Sequence, residues 1–267
     1  MTAKSFIVKP LPFTALFASN TAAGYSSANL SNDYMGVVWK TTTGGASQYF
    51  DVDLGADTPI DFVGLLGMTG ALTGWKMQVA VATAAQGSSF GTFVYLSPGT
   101  DSALAGADPL PSGRGVGILS FPSTVTGRYV RISISSIASA AVTVGRAIIG
   151  KRIIPEREFT YGAAFGVRDL GSFDISARGV PLWRRNKAKL RTLGISYGNA
   201  YKDEVEQVLL PLVGEIGNEM PVFVCTDGTA DTQRQRRCYY GPLQGEIGAI
   251  WARANGFEFR VNMVSLI

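Results

Sequence analysis

The chain has 267 residues, of which 46% are hydrophobic and only 16% are charged, and its formal net charge is +4. It contains no histidine, the side chain most used for proton transfer near neutral pH and the commonest metal ligand. Hydrolase and metalloenzyme chemistry is therefore disfavoured, and we expect no enzyme activity and no required cofactor. The small positive charge argues against specific nucleic-acid binding.

The length exceeds the roughly 100–200 residues of one domain, so we expect two domains. The charged fraction lies below the roughly 25% that is usual for soluble domains, which indicates surface covered by protein and hence a homo-oligomer. The 32 glycines and 12 prolines, spread among Ser, Thr, Val and Ile, are typical of short strands joined by tight turns. The composition thus predicts a mainly all-β fold. No stretch approaches the ~18 apolar residues of a membrane span, so no membrane insertion is expected.

Residues 1–150 predict the first domain, a sandwich or jelly roll of seven or eight strands. Its strand-like runs fall at 48–54, 61–67, 75–82, 92–96, 116–121, 128–135 and 143–149. Trp39 and Trp75 are interpreted as core residues. The Gly-, Ser-, Ala- and Pro-rich stretch 84–115 is expected to form solvent-facing loops rather than core.

Asp51 and Asp53 form part of a dense set of carboxylates in this half of the chain. On a strand they share one face at roughly 7 Å, a separation that by itself suits a glycosidase pair. We reject that interpretation, because acidic residues are common on the wet face of a strand and nothing nearby is expected to raise one pKa.

Several motifs in the first half recur in a familiar order. They are Tyr25, Ala28-Asn29-Leu30, Asp33, Val38-Trp39-Lys40-Thr41, Tyr49-Phe50-Asp51-Val52-Asp53-Leu54-Gly55, Ile60, Val63, Leu65, Gly67 and Gly127-Arg128-Tyr129-Val130-Arg131-Ile132. This order resembles the discoidin, or coagulation-factor type C, group of galactose-binding-like jelly rolls.

The resemblance implies a ligand site in the loops at one end of the barrel. By position, the candidates for carbohydrate binding are Tyr25, Asn32, Asp33 and Tyr34 in the first long loop and Arg114 in a later one. It also implies a calcium site that uses Asp33 and neighbouring carbonyl oxygens. Two roles stay open for the jelly roll: it binds a glycan, or it serves only as an assembly or spacer module.

A charge cluster at 150–157 marks the boundary to the second domain, residues 151–267. Strand-like runs at 158–167, 172–177, 187–196, 221–225, 236–243, 246–252 and 257–264 predict a β-sandwich or split barrel. Between them, apolar residues at three- and four-residue spacing predict one helix over 202–214. Pro211 lies inside that pattern and is expected to kink the helix or end it early.

Two basic clusters and two cysteines lie in this half. Lys187, Lys189 and Arg191 alternate with uncharged residues, so a strand would align them on one face, toward either a DNA-filled channel or a neighbouring subunit. Arg234, Arg236 and Arg237 form the second cluster. Cys225 and Cys238 are expected to be buried thiols, and a disulfide between neighbouring strands remains the alternative.

The helix, the run Pro221-Val222-Phe223-Val224, the segment 227–237 and the last strand at 256–267 resemble, more loosely, the tube-forming and distal-tail proteins of long-tailed phages. That resemblance implies a virion structural protein at the tail tip or baseplate, assembled in the bacterial cytoplasm. Its expected partners are further copies in a ring, other tail proteins and glycans of the host surface. The alternative is a carbohydrate-binding module with no virion role.

Overall fold

The computed structural model describes residues 4–184, 189–245, 248–253 and 256–267. The chain forms two compact units, the first comprising residues up to 154 together with 223–238, and the second comprising 155–222 and 239–267. Residues 223–238, predicted to lie in the second domain, belong to the first unit in the structure.

The first eleven strands in chain order and a 3₁₀ helix at Ser27–Ser31 lie in the first unit. The strands are β1 (Phe6–Val8), β2 (Thr14–Ala18), β3 (Trp39–Lys40), β4 (Ser47–Met68), β5 (Lys76–Ala82), β6 (Tyr95–Leu96), β7 (Asp101–Ser102), β8 (Gly115–Ser135), β9 (Thr143–Val144), β10 (Arg146–Gly150) and β11 (Arg152–Ile153).

A long ribbon of β4 and β8 organises this unit. The two strands pair from Ser47↔Ser135 to Met68↔Gly115, and the register shifts after Asp53, where Gly55 has a φ of +84°. One half of the ribbon is flanked by β2 and β5, and the other half by β10. Side chains from both halves enter the same buried cluster, so the ribbon bends over its own core to give a sandwich.

Trp39 and Trp75 lie in this core, as predicted, with exposed fractions of 0% and 1%. The indole of Trp39 meets the ring of Phe50 edge-on at 5.1 Å between centroids. The prediction that 84–115 lies outside the core is wrong in part, because Ala103 and Leu104 join the buried cluster. The chain is held there because Ala103 N–H donates to the Trp75 carbonyl at 2.8 Å, which brings small apolar residues against the sheet.

The remaining strands are β12 (Ala164–Asp169), β13 (Ser172–Ile175), β14 (Pro181–Arg184), β15 (Lys189–Tyr201), β16 (Val222–Cys225), β17 (Cys238–Gly241), β18 (Ala249–Arg253) and β19 (Gly256–Val264). In the second unit an antiparallel sheet has the order β12-β15-β19-β18, and β13 pairs with β14 as a separate hairpin. The strand β19 corresponds to the predicted run 257–264 and alternates in burial, with Phe257, Phe259, Val261 and Met263 buried. The mainly β fold class is therefore confirmed, and apart from short 3₁₀ helices the described residues contain one helical segment.

The helix runs without interruption from Lys202 to Ile216, so Pro211 does not end it early. It consists of an α-helical turn at Lys202–Glu204, a π-helical segment at Val205–Leu209 and an α-helix at Leu210–Ile216. Pro211 is the second residue of that last α-helix, and because the helix is continuous its missing backbone N–H removes one hydrogen bond to the preceding turn. The irregularity takes the form of the π-helical turn, in which Leu210 N–H donates to the carbonyl of Val205.

The segment 223–238 belongs to the first unit because β16 pairs with β1. Ile7 lies opposite Val224 and Val8 opposite Phe223, and β11 pairs with the other edge of β1. Phe223 also contacts two aromatic rings of the first unit, with centroids 5.1 Å from Phe62 and 6.2 Å from Phe6. These long-range contacts are invisible in the local sequence pattern.

Candidate binding and assembly surfaces

The first long loop is tied to the sandwich by short polar contacts. The Ser26 hydroxyl caps the 3₁₀ helix by accepting from Ala28 N–H at 3.2 Å, and Leu30 in that helix is fully buried. The Asn29 amide donates to the Val38 carbonyl at 2.9 Å and so closes the loop on its own return strand. The loop is therefore an ordered part of the sandwich, which is what a preformed binding surface requires.

Four of the predicted site residues lie in this loop, but they play different parts. The Asn32 side chain donates to the Asn29 carbonyl at 2.8 Å and accepts from Tyr34 N–H at 2.9 Å, so both of its polar groups hold the backbone turn. Tyr34 is 76% exposed and Tyr25 is 42% exposed, with the Lys40 ammonium 5.6 Å from the Tyr25 ring centroid. The two tyrosines are thus the members of this set that present aromatic surface.

Asp33 pairs with an arginine that the sequence analysis did not single out. Asp33 Oδ1 lies 3.3 Å from Arg146 Nε, and Arg146 Nη1 donates to the Leu30 carbonyl at 3.2 Å. Arg146 is buried, so this pair anchors the loop to β10. The positive charge of the Arg146 guanidinium disfavours a second cation at the Asp33 carboxylate. The described residues contain no group of three or more His, Cys, Asp or Glu side chains that could hold a metal ion. The calcium site on Asp33 stays a prediction.

Arg114 lies in a different loop, immediately before β8. Its neighbour Gly115 pairs with Met68, while the side chain of Met35 lies beside Gly67. Both loops therefore reach the same end of β4. The assignment of Tyr25, Asn32, Asp33, Tyr34 and Arg114 to carbohydrate binding stays a prediction.

The carboxylates of Asp51 and Asp53 are held by arginines on the neighbouring strand. Arg131 donates to both oxygens of Asp51 at 2.7 Å, and Arg128 donates to those of Asp53 at 2.7 and 2.8 Å. The hydrogen bonds from Arg128 hold the pKa of Asp53 below its usual value. A glycosidase acid needs a raised pKa, so this arrangement contradicts a catalytic role for the pair.

The guanidinium of Arg131 is also enclosed by rings. Its central carbon, Cζ, lies 4.4 Å from the centroid of the Tyr49 ring and 4.5 Å from that of Phe90, a residue of the loop after β5. These contacts, together with the Asp51 pair, give Arg131 a structural role in covering the outer face of the sandwich.

The basic residues of the second half are mostly engaged within the chain. Lys187 lies outside the described residues. Lys189 lies 3.7 Å from Asp169, and the Arg191 guanidinium lies 4.1 Å from the Tyr239 ring centroid. Arg234 and Arg236 donate to the carbonyls of Ala105 and Pro109. A channel-facing or interface-facing role for Lys187, Lys189 and Arg191 remains a prediction.

The hairpin of β13 and β14 carries an apolar face that the sequence analysis did not identify. Phe173 pairs with Trp183 and Ile175 with Pro181, so these four side chains share one side of the ribbon. Phe173, Ile175 and Trp183 are 53%, 58% and 64% exposed. We call this set the hairpin face. The alternation of Phe173 with Ile175 was a sequence signal for one common side, but it did not reveal that this side is uncovered.

Both outer strands of the four-stranded sheet also expose apolar side chains. Phe165 and Val167 on β12 are 57% and 61% exposed, and Ile250 and Trp251 on β18 are 55% and 61% exposed. Soluble domains usually protect outer strands with charges, prolines or bulges, because an open strand edge invites pairing with another chain. These edges are therefore candidate assembly surfaces.

No protein-family model matches the chain, and a search of curated proteins gives no match. Solved structures similar to it include chitosan-binding module 1 of a chitosanase/glucanase from Paenibacillus sp. IK-5, at 19% identity and a TM-score of 0.40, covering 52% of this chain and 96% of the module. The family 32 carbohydrate-binding module of NanJ from C. perfringens, solved with galactose, is 14% identical with a TM-score of 0.40 and coverages of 53% and 98%. The lectin domain of lectinolysin, complexed with Lewis B antigen, is 15% identical with a TM-score of 0.38 and coverages of 51% and 90%.

Each of these likenesses covers about half of this chain and nearly all of the similar module. In the part of the chain that the structure describes, none of the helices is long and apolar enough to cross a membrane.

Proposed function

We propose that this chain is a structural subunit of a phage tail tip. In this proposal the second unit joins copies of the chain head to tail into a ring, and the first unit presents its loops to host-surface glycans. Its location in the virion, its assembly in the bacterial cytoplasm and its contacts with other tail proteins rest on the resemblance of the second half to distal-tail proteins.

The observation that carries the assembly role is the hairpin face. A monomer rarely leaves a continuous apolar patch of more than a few hundred Å² in water. Here the rings of Phe173 and Trp183 lie 4.4 Å apart between centroids on a ribbon whose eight residues are all exposed. A two-stranded ribbon of this length is only marginally stable alone, so a partner that covers this face would also stabilise it.

A second copy of the same chain is the partner that best fits the sheet. Each copy offers an open edge at β12 and another at β18, and both edges carry exposed apolar side chains. Contact between β12 of one copy and β18 of the next would satisfy the backbone groups of both edges. Because the two surfaces differ, the contact is heterologous, and a heterologous contact gives a ring when the rotation between copies closes, not a two-fold dimer.

The assembly role is tested by measuring the mass of the purified full chain by sedimentation velocity, with negative-stain imaging of the same sample. We expect the wild type to form rings and the double variant Phe173→Ser/Trp183→Ser to sediment as a monomer. Leu72→Ser is the matched control, because Leu72 is 63% exposed in the first unit and should leave the rings intact. A wild type that stays monomeric at high concentration, or a double variant that still forms rings, would contradict the proposal.

The exposed ring of Tyr34 favours the alternative, a carbohydrate-binding module with no virion role. Stacking of an aromatic ring on a sugar needs an exposed and preformed aromatic, which Tyr34 provides. A glycan array probed with the wild type and with Tyr34→Ala separates the cases. A monomer whose glycan binding is lost in Tyr34→Ala supports the module, whereas rings together with labelling at the tail tip of assembled particles support the virion subunit.

A further inference from the structure

The two cysteines of the chain both lie in the first unit, Cys225 at the end of β16 and Cys238 at the start of the neighbouring strand β17. Thr226 N–H donates to the Arg237 carbonyl at 3.0 Å, which fixes the register between the segments on either side. In an antiparallel pair this register places Cys225 directly opposite Cys238, at a position without hydrogen bonds between the two residues. At such positions the Cα atoms are typically about 4.5 Å apart, within the range that a disulfide spans.

Both side chains are fully buried and both are thiols in the structure. Cys225 Sγ donates to the Asp227 carbonyl at 3.2 Å, and Cys238 Sγ donates to the Arg234 carbonyl at 3.3 Å. Directly opposed residues project from the same side of the ribbon, so rotation of each thiol away from its carbonyl brings the sulfurs toward one another. This rotation breaks the two weak S–H hydrogen bonds to the carbonyls of Asp227 and Arg234.

The residues between the cysteines, 226–237, form a clamp on the first unit, which we call the clamp loop. Val116 N–H donates to the buried amide oxygen of Gln235 at 2.9 Å, and the other end of that amide donates to the Gly106 carbonyl. Arg234 Nε donates to the Ala105 carbonyl at 2.8 Å, and Asp108 N–H donates to the Thr232 carbonyl at 2.8 Å. The clamp loop is therefore already docked in the arrangement that a bond at its base would preserve.

We propose that Cys225 and Cys238 are a redox-modification site whose disulfide locks the clamp loop onto residues 105–116. The co-reactant is a low-molecular-weight disulfide. The thiolate of one cysteine attacks it and releases one thiolate, and the second cysteine then attacks the mixed disulfide and releases the other. The protein loses two protons and two electrons, and the small disulfide is reduced to two thiols. A disulfide that closes this short loop lowers the conformational entropy of the unfolded chain and so stabilises the folded one.

The test uses the full chain, unfolded and refolded with a mixture of oxidised and reduced glutathione, because both thiols are buried in the native state. We expect both free thiols to disappear, the chain to run as a monomer on a non-reducing gel, and a disulfide-linked peptide pair to contain Cys225 and Cys238. The melting temperature should lie several degrees above that of the reduced protein. Adding a reductant should reverse the shift in the same sample. Cys225→Ser and Cys238→Ser should each take up one glutathione and show no reversible shift.

Mixed glutathione adducts on both cysteines of the wild type, or dimers linked between chains, would overturn the proposal. So would a closed disulfide that lowers the melting temperature, since it would show that the bond strains the clamp loop instead of locking it. The wild-type comparison with and without reductant remains decisive even if either serine variant fails to fold. None of these readouts depends on assembly into rings, so the proposed function and this inference fail independently.

Discussion

The two units place their tryptophans in opposite environments. Trp39 and Trp75 in the first unit are 0% and 1% exposed, whereas Trp183 and Trp251 in the second are 64% and 61% exposed. In the first unit the large rings fill a closed sandwich. In the second they lie on a hairpin and on an outer strand, where the exposed part of their apolar area adds no stability until something covers it. One residue type thus serves internal packing in one unit and, in our proposal, association in the other.

The largest effect is expected from removing β19 by ending the chain before Gly256. The strand lies between β15 and β18 and buries four large apolar side chains, each worth about 2–5 kcal/mol when truncated in a core. Their sum reaches the whole stability of an ordinary domain, about 5–15 kcal/mol, so the second unit should not fold. Limited proteolysis should degrade it and leave a resistant first unit.

The matched control for this truncation replaces the hairpin residues 172–184 with a short linker. Those residues are exposed, so the second unit should stay resistant to protease while assembly is lost. Normal particles formed by the truncated chain would refute the central role of β19.

Two tryptophan substitutions test the comparison directly. Trp39→Ala empties a fully buried site against Phe50 and should cost about 3–5 kcal/mol of unfolding free energy. Trp183→Ala removes a ring that is mostly in water and should change the stability of the monomer by less than about 0.5 kcal/mol. Urea denaturation at a protein concentration too low for assembly measures both. Equal losses would mean that the hairpin ring is packed after all.

The sequence predicted those parts of the fold that depend on local alternation. The pattern of β19 and the core positions of Trp39 and Trp75 follow from which residues are apolar at period two. The run 172–177 was predicted as a strand, and alternation within it would put Phe173 and Ile175 on one side. It does not say whether another element covers that side, because coverage depends on the whole chain.

Long-range contacts explain the rest. Pairing of Ile7 with Val224 joins opposite ends of the chain, and no local signal marks 223–238 as part of the first unit. In the candidate site, the sequence gathered Tyr25, Asn32, Asp33 and Tyr34 into one loop. It did not reveal that Asn32 is used by the backbone turn, nor that Asp33 meets Arg146 from a distant strand.

A smaller effect is expected where the clamp loop meets the first unit. A Cβ at Gly106 would lie 2.5 Å from the Thr232 carbonyl oxygen and 2.7 Å from that of Asp231, both backbone atoms that cannot move aside freely. Gly106→Ala should therefore cost about 1–3 kcal/mol, the usual range for overpacking. The denaturation midpoint measures this loss. Gly74→Ala is the control, since a Cβ there meets nothing within 4 Å, and a result no different from that control would show that the clamp loop is not held closely.

The smallest effect concerns the pH dependence of the ribbon in the first unit. The hydrogen bonds from Arg128, followed by the one from Gly55 N–H, outweigh burial and lower the pKa of Asp53 below 3.8 in the folded chain. Because the folded-state pKa is depressed, the ion pair stabilises the fold fully above about pH 3.8. That contribution is lost as the pH falls from there through the folded-state pKa. In Asp53→Asn the melting temperature should fall less steeply as the pH drops below about 3.8, which is the acid limb of its pH profile. Asp101→Asn changes a carboxylate at an exposed position and should leave that acid limb unchanged. An unchanged acid limb in Asp53→Asn would mean that water screens the partly exposed pair of Asp53 and Arg128 almost completely. The packing of the sandwich would then hold β4 against β8 without help from this ion pair.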